Sequence, residues 1–225
     1  MEARKIIITG GATRIGAVIA KKLSSNKVEI VIHFNKSHAK AILLKKELEK
    51  SGAKIYLVKG NLNKEEDIRK IIKSSKKYLK YFDCLINNAS MFENDKLENF
   101  SSESWEKHLN INLKAPALLT REFAKNVKGK NNNVINIIDQ RVFKLTPYFF
   151  SYTLSKTGLY TLTKTSAMSL APKIRVNGIA PGPTIKNKRQ SKIHFKNQFL
   201  ATPLKQQVNI NAVSYTHLTL PTISR

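Results

Sequence analysis

The chain has 225 residues, 41% of them hydrophobic, which is ordinary for a protein with one sizeable core and excludes a disordered composition. A single cysteine, Cys84, excludes an internal disulfide framework and any multi-cysteine metal site. No apolar run approaches a membrane span or a secretory leader, so a cytoplasmic protein with no membrane partner is expected. Lys and Arg number 40 against 15 Asp and Glu, giving a formal charge of +25. The lysines are spread through every predicted helix and form no block or arm, and no nucleic-acid reading motif is present. The excess is therefore read as the codon usage of an A/T-rich gene, although a basic surface still attracts anionic ligands.

Short β-branched runs alternate with helix-length amphipathic segments, the pattern of βαβ units around a parallel sheet. The first strand is expected at 5–9. A helix follows, with Ile15, Val18, Ile19 and Leu23 on one face. Next come a strand at 29–34, a helix at 37–50, a strand at 54–59 and a basic helix at 64–80. The fourth strand is expected at 84–87, a long helix at 105–126 and the fifth strand at 134–138. A helix at 151–170 and a sixth strand at 175–180 complete the series, punctuated by Pro172 and by Pro181-Gly182-Pro183. No internal repeat or linker interrupts it. The expected fold is a single α/β domain, a doubly wound parallel sheet of Rossmann type.

After the first strand, Thr9-Gly10-Gly11-Ala12-Thr13-Arg14-Ile15-Gly16 opens directly into the first helix. Glycines there let backbone N–H groups approach a pyrophosphate at a helix N-terminus, where the helix dipole favours negative charge. The alternative is a tight connection without a ligand; the strand before and the helix after favour the first reading. At the end of the second strand, NAD-binding domains of this architecture place an acid on the ribose 2′-hydroxyl. Here the residues are His33-Phe34-Asn35-Lys36-Ser37, with no carboxylate. Lys36 and Arg14 would attract a 2′-phosphate, and Asn35 and Ser37 can donate to it. This favours NADPH over a solvated loop with an incidental lysine; His33 is read as packing or capping, not as a ligand. Tyr152 and Lys156, four apart at the start of a helix, share one face. An ammonium beside a phenol stabilises the phenolate, which is expected to lower the tyrosine pKa from about 10 toward neutrality.

These motifs resemble the short-chain dehydrogenases, and within them the pteridine and dihydromonapterin reductases. The glycine turn matches the family's Thr-Gly-x-x-x-Gly-x-Gly except that Arg14 replaces the middle glycine, a substitution typical of pteridine reductases. Asn87-Asn88-Ala89-Ser90 resembles the Asn-Asn-Ala-Gly segment that supports the sheet and approaches the cofactor. By the same resemblance Asn112 would hold a water in a proton relay to Lys156, and Tyr152 would donate the proton. Where most relatives carry a catalytic serine, thirteen residues before the tyrosine, this chain has Asp139, as pteridine reductases do. Asp139 could hydrogen-bond the tyrosine and, if protonated, serve a pterin ring nitrogen; the alternative is that it caps the following loop. Phe92 would sandwich a flat pterin against the nicotinamide, or else be a lid-loop hydrophobe. Pro181 and Gly182 would line the nicotinamide, and residues 185–200 would form the substrate loop.

The resemblance implies NADPH-dependent reduction of a pterin or another flat carbonyl or imine substrate, by a homotetramer. A general ketone or 3-ketoacyl reductase and a non-catalytic NADPH-binding regulator are the alternatives. It covers residues 4 to about 212. Residues 213–225 instead resemble a translated sequencing adapter, since Val213 to Thr222 are what the transposon end used in library preparation encodes. They are set aside from 1–212 as a non-native tail, and the expectation is a domain lacking its last helix and seventh strand, of poor stability or activity.

Overall fold

In the computed structural model, residues 4–129, 131–186 and 191–209 are described; the 213–225 stretch lies outside them. The first strand, β1 (Arg4–Ile8), sets the two faces of the sheet. Ile6 and Ile8 point into one apolar layer and Ile7 into the other, and all three are buried. A strand buried on both faces reads as a continuous apolar run, which is why Ile6-Ile7-Ile8 does not alternate with polar residues.

Five more strands join it: β2 (Val28–Phe34), β3 (Lys54–Lys59), β4 (Cys84–Asn87), β5 (Asn132–Ile137) and β6 (Ile174–Ile179). All pairs are parallel, in the order β3-β2-β1-β4-β5-β6. The chain winds outward from β1 to β3, returns across the middle to β4, and continues to β6. The crevice at the carboxyl ends of β1 and β4, where this direction reverses, is where open α/β sheets bind ligands.

Helices α1 (Arg14–Leu23) and α2 (His38–Glu49) cover one face, packing Ile19, Ala20, Ala41 and Leu44 onto β1 and β2. The other face is covered by α3 (Glu65–Leu79), α5 (Ala115–Lys125) and α6 (Phe150–Leu170), with Ile71, Leu119 and Phe123 buried against β1, β4 and β5. Each such side chain stabilises the fold by roughly 1.5–3 kcal/mol. In α3, Glu65, Glu66 and Asp67 fill the first turn and Lys76 and Lys77 the last, complementing the helix dipole. Cys84 is buried in β4, and burial pushes its thiol up to about 11, so it is inert at neutral pH.

Three elements differ from expectation. The fifth strand begins at Asn132, because its asparagines are tied sideways: Asn177 donates to Asn133 (3.3 Å), and Asn132 donates to the carbonyls of Gly129 (2.9 Å) and Lys173 (3.3 Å). The long helix expected at 105–126 is α4 (Ser102–Leu109) running into α5 through a π-helical turn, Asn110–Lys114. The expected substrate loop at 185–200 contains a helix, α7 (Lys192–Leu200), in which the Phe195 and Phe199 rings pack edge to face four residues apart. Among the described residues β6 pairs with β5 alone, and no helix is long and apolar enough to cross a membrane.

Candidate active site

A cleft of about 710 Å³ opens at the carboxyl ends of the strands, within the range of small-molecule sites. Its walls come from the glycine turn, the ends of β2 to β6, and α7.

The turn is braced from behind. Thr9 Oγ1 accepts the backbone N–H of Asn88 and of Ala89, both at 3.0 Å, and the Asn88 amide donates to the carbonyls of Thr9 (2.9 Å) and Gly10 (3.1 Å). His33 completes the brace. Its Nδ1 accepts the Gly10 N–H (3.2 Å), which leaves Nε2 as the protonated nitrogen, donating to the Gly60 carbonyl (3.1 Å). Burial pulls the His33 pKa down to about 4, so the ring is neutral and keeps this tautomer at physiological pH. Its packing role is thus a specific one: it joins the turn to the end of β3.

Two glycines are required here by contact. A Cβ on Gly16 would lie 2.4 Å from the Gly10 carbonyl oxygen and 2.6 Å from the Asn88 amide nitrogen; one on Gly10, at φ +60°, would lie 2.9 Å from Ala89 Cα. The tight packing brings the first-turn N–H groups of α1, which have no intrahelical acceptor, to the cleft beside Ile15. Arg14, also left-handed at φ +52°, turns its guanidinium along the cleft and donates to the carbonyls of Ile185 (3.2 Å) and Lys186 (3.3 Å). Asn35 lines the cleft; Lys36 is exposed and Ser37 half-buried next to it, at the start of α2. These groups fit a phosphorylated dinucleotide: a glycine cradle that a Cβ would fill, an open helix N-terminus, and cations without an acid at the end of β2.

The catalytic candidates converge further along. Tyr152 is buried, and its hydroxyl donates to Asp139 Oδ2 at 2.6 Å. The other Asp139 oxygen accepts the Arg141 backbone N–H at 2.9 Å, so the carboxylate both holds the phenol and caps the turn at Gln140–Val142. Lys156, 2% exposed, gives its ammonium hydrogen bond to the Ile137 carbonyl at 2.8 Å, and burial pulls its pKa down to about 8. The tyrosine departs from expectation. Burial, reinforced by the charge and hydrogen bond of Asp139, pushes the phenol well above 10 rather than toward neutrality. The ammonium lies 5.8 Å from the centre of the phenol ring and spends its hydrogen bond on a carbonyl. The phenol therefore keeps its proton at neutral pH.

Asn112 sits in the π-helical turn, fully buried. Its amide donates to the Met91 carbonyl (3.0 Å) and Ser155 Oγ (2.9 Å), and its oxygen accepts from Met91 N–H (2.8 Å) and Ser90 Oγ (3.2 Å). It ties the Ser90-Met91-Phe92 segment to α6, and its side-chain hydrogen bonds among the described residues all belong to that brace. π-turns are frequent at functional sites because they re-aim side chains. Asn87 donates to Asn136 Oδ1 (2.8 Å) and Asn136 to Thr163 (2.9 Å), linking β4, β5 and α6 behind the site. Asp95 accepts the Ser151 N–H (3.1 Å), fixing the start of the helix that carries Tyr152. Phe92 meets Tyr152 edge-on with centroids 4.7 Å apart, and Pro181 and Gly182 also line the cleft.

Phe195 and Gln198 come from the expected substrate loop at 185–200, whereas Asn61 and Leu62 after β3 and Arg141 escape the sequence reading. Asn61 and Leu62 follow a strand end that the alternating pattern locates. Arg141 carries no such signal, because non-local packing brings it in.

A family model for short chain dehydrogenases matches residues 4–197. An uncharacterised oxidoreductase of Thermotoga maritima is 29% identical over 184 residues, 81% of this chain and 72% of that protein. Glucose 1-dehydrogenase 2 of Bacillus subtilis is 28% identical, with the same shares covered. Among solved structures, the FolM alternative dihydrofolate reductase 1 of Brucella canis, complexed with NADP, superposes with a TM-score of 0.88 at 38% identity, covering 93% of this chain and 83% of that one. Its Brucella suis counterpart, also with NADP, gives 0.88 at 37%, covering 94% and 85%. With the strand order, the glycine turn and the Tyr152–Lys156 helix all in place, the chain belongs to the short-chain dehydrogenase family.

Proposed function

We propose that this oxidoreductase is an NADPH-dependent reductase of a pterin or a similarly flat imine substrate. The observation that carries the reading is the Tyr152–Asp139 pair, 2.6 Å apart beside Phe92. A carboxylate in that position fits a substrate with ring nitrogens better than a simple ketone, and the Brucella FolM reductases, at 38% and 37% identity, were solved with NADP.

The first-turn N–H groups of α1 at Ile15 and Gly16 would hold the diphosphate, with Thr9, Gly10, Asn88, Ala89 and Ser90 fixing the turn around it. Arg14, Asn35, Lys36 and Ser37 would hold the 2′-phosphate; Lys156, Pro181 and Gly182 would hold the nicotinamide end. The nicotinamide supplies the hydride. Tyr152 would supply the proton, which its raised pKa keeps on the oxygen at neutral pH. Asp139 orients the phenol, and the buried Lys156 charge favours the phenolate as it forms. Asn112 keeps the Ser90–Phe92 segment on the substrate side of the cleft.

The test is NADPH oxidation followed with dihydrobiopterin and with a 3-ketoacyl substrate. Turnover of the pterin and loss of at least a hundredfold in kcat in Tyr152→Phe are expected, matching the usual worth of a positioned proton donor, about 10²–10⁴. Wild-type turnover in that variant, or preference for the ketoacyl substrate, refutes the reading.

A further inference from the structure

Beyond Tyr152 the cleft wall continues as a stack. Phe149 lies face to face on Phe92, with centroids 4.5 Å apart and planes at 9°, and the Arg141 guanidinium lies 4.4 Å from the Phe149 ring and 6.0 Å from the Phe92 ring. Phe149 holds a left-handed backbone, φ 59° and ψ 43°, a strained region for a non-glycine residue. Asn94 Oδ1 accepts its N–H at 3.3 Å, and the next residue's N–H goes to the Asp95 carbonyl, also at 3.3 Å. Strain of this kind persists where the surroundings fix it, and here it keeps the ring in contact with both Phe92 and the Arg141 guanidinium.

The charges along the cleft are unevenly committed. Asp139 is the one acid in its described lining, and both of its oxygens are engaged, by Tyr152 and by the Arg141 N–H. Arg14 is held by two carbonyls and Lys156 by one. Among the described residues the Arg141 guanidinium hydrogen-bonds Thr146 Oγ1 at 3.2 Å, and no carboxylate forms an ion pair with it. The guanidinium lies at the cleft wall against the Phe149 ring and has further N–H donors beyond the one given to Thr146. A planar fork of this kind matches a carboxylate.

We propose that Arg141 is a specificity-determining residue that takes a carboxylate on a tail of the substrate whose flat ring binds beside Phe92. The substrate class is thus a flat heteroaromatic ring with an anionic tail; this rests on the reductase reading above. The competing role for Arg141 is purely electrostatic, since its charge also opposes the upward push on the Tyr152 phenol. Such an effect acts on the proton donor and so on every substrate alike.

The experiment measures KM and kcat in Arg141→Gln and Arg141→Lys with two probes: dihydrofolate, whose tail carries carboxylates, and dihydrobiopterin, whose tail is uncharged. In Arg141→Gln, KM for dihydrofolate is expected to rise about tenfold more than KM for dihydrobiopterin, the scale of one charge-assisted hydrogen bond. Arg141→Lys recovers part of that ratio. Equal factors for both probes, or wild-type turnover of dihydrobiopterin alone, overturn the inference and leave the pterin reading intact. Wild-type turnover of neither probe overturns both.

Discussion

Lys156 should be a residue whose removal abolishes turnover while relieving the fold. Its ammonium is 2% exposed, bonds to one carbonyl, and has its pKa pulled from 10.5 down to about 8 by burial. A folded-state pKa below the unfolded value means that, between about pH 8 and 10.5, the unfolded chain binds more protons than the native one. Stability therefore rises with pH across that window and is lowest below pH 8, where both states are protonated. At 1.36 kcal/mol per pH unit, the buried charge costs the native state about 3 kcal/mol at pH 7. Lys156→Met keeps the length of the side chain and removes the charge, but deprives the Ile137 carbonyl of its donor, at a cost of roughly 1–3 kcal/mol. The variant should be inactive and, at pH 7, as stable as wild type or more stable by up to about 2 kcal/mol. The decisive quantity is its pH dependence, because the lost hydrogen bond contributes equally at every pH. In denaturant titrations, the stability of the variant relative to wild type should decline by about 3 kcal/mol from pH 7 to pH 10.5. A difference independent of pH would refute the reasoning, and so would a variant several kcal/mol less stable at pH 7.

The glycine turn makes two further claims. His33 has its pKa pulled down to about 4, so its contribution to stability is complete above pH 6.5 and is lost as pH falls toward 4. Wild type should lose about 3 kcal/mol relative to His33→Gln over that interval, read from unfolding midpoints at pH 7 and pH 4; parallel losses would exclude the buried neutral imidazole. Gly16→Ala places a methyl 2.4 Å from the Gly10 carbonyl oxygen, where backbone must move. It should cost about 1–3 kcal/mol in thermal unfolding and weaken NADPH binding by calorimetry; unchanged binding would mean that the cradle is not the diphosphate site.

Much of the architecture is legible as apolar runs, because strands buried on both faces must be continuously hydrophobic and these are spaced by helical segments. The boundaries fail where side-chain hydrogen bonds replace hydrophobicity. Asn132 and Asn133 look like loop residues, yet they enter β5, where the Gly129 and Lys173 carbonyls accept from the Asn132 amide and Asn177 donates to Asn133 Oδ1. The site is legible where a motif fixes both residue and spacing, as for Tyr152 and Lys156 or the glycine turn. Arg141 and Phe149 carry no local pattern, and their roles depend on a stack assembled from three separate segments. The tyrosine pKa fails for a related reason. Spacing places a lysine on the same helix face, but only the packing shows that its ammonium points to Ile137 and that Asp139 is the nearer charge.

The π-helical turn at Asn110–Lys114 acts as a register shift within one long helix. Each residue of an α-helix advances the face by about 100° and the axis by about 1.5 Å. The wider turn takes up one residue beyond that rhythm, so the two halves can be set on different targets. Upstream, His108 meets the Tyr152 ring edge to face, with centroids 6.2 Å apart; downstream, Leu119 and Phe123 remain on the sheet. Deleting one residue here would restore a regular backbone ladder and still harm the protein. The downstream face would turn away from the sheet, or Asn112 would lose its grip on the Met91 backbone. The irregularity lets one helix support the core and the active site together.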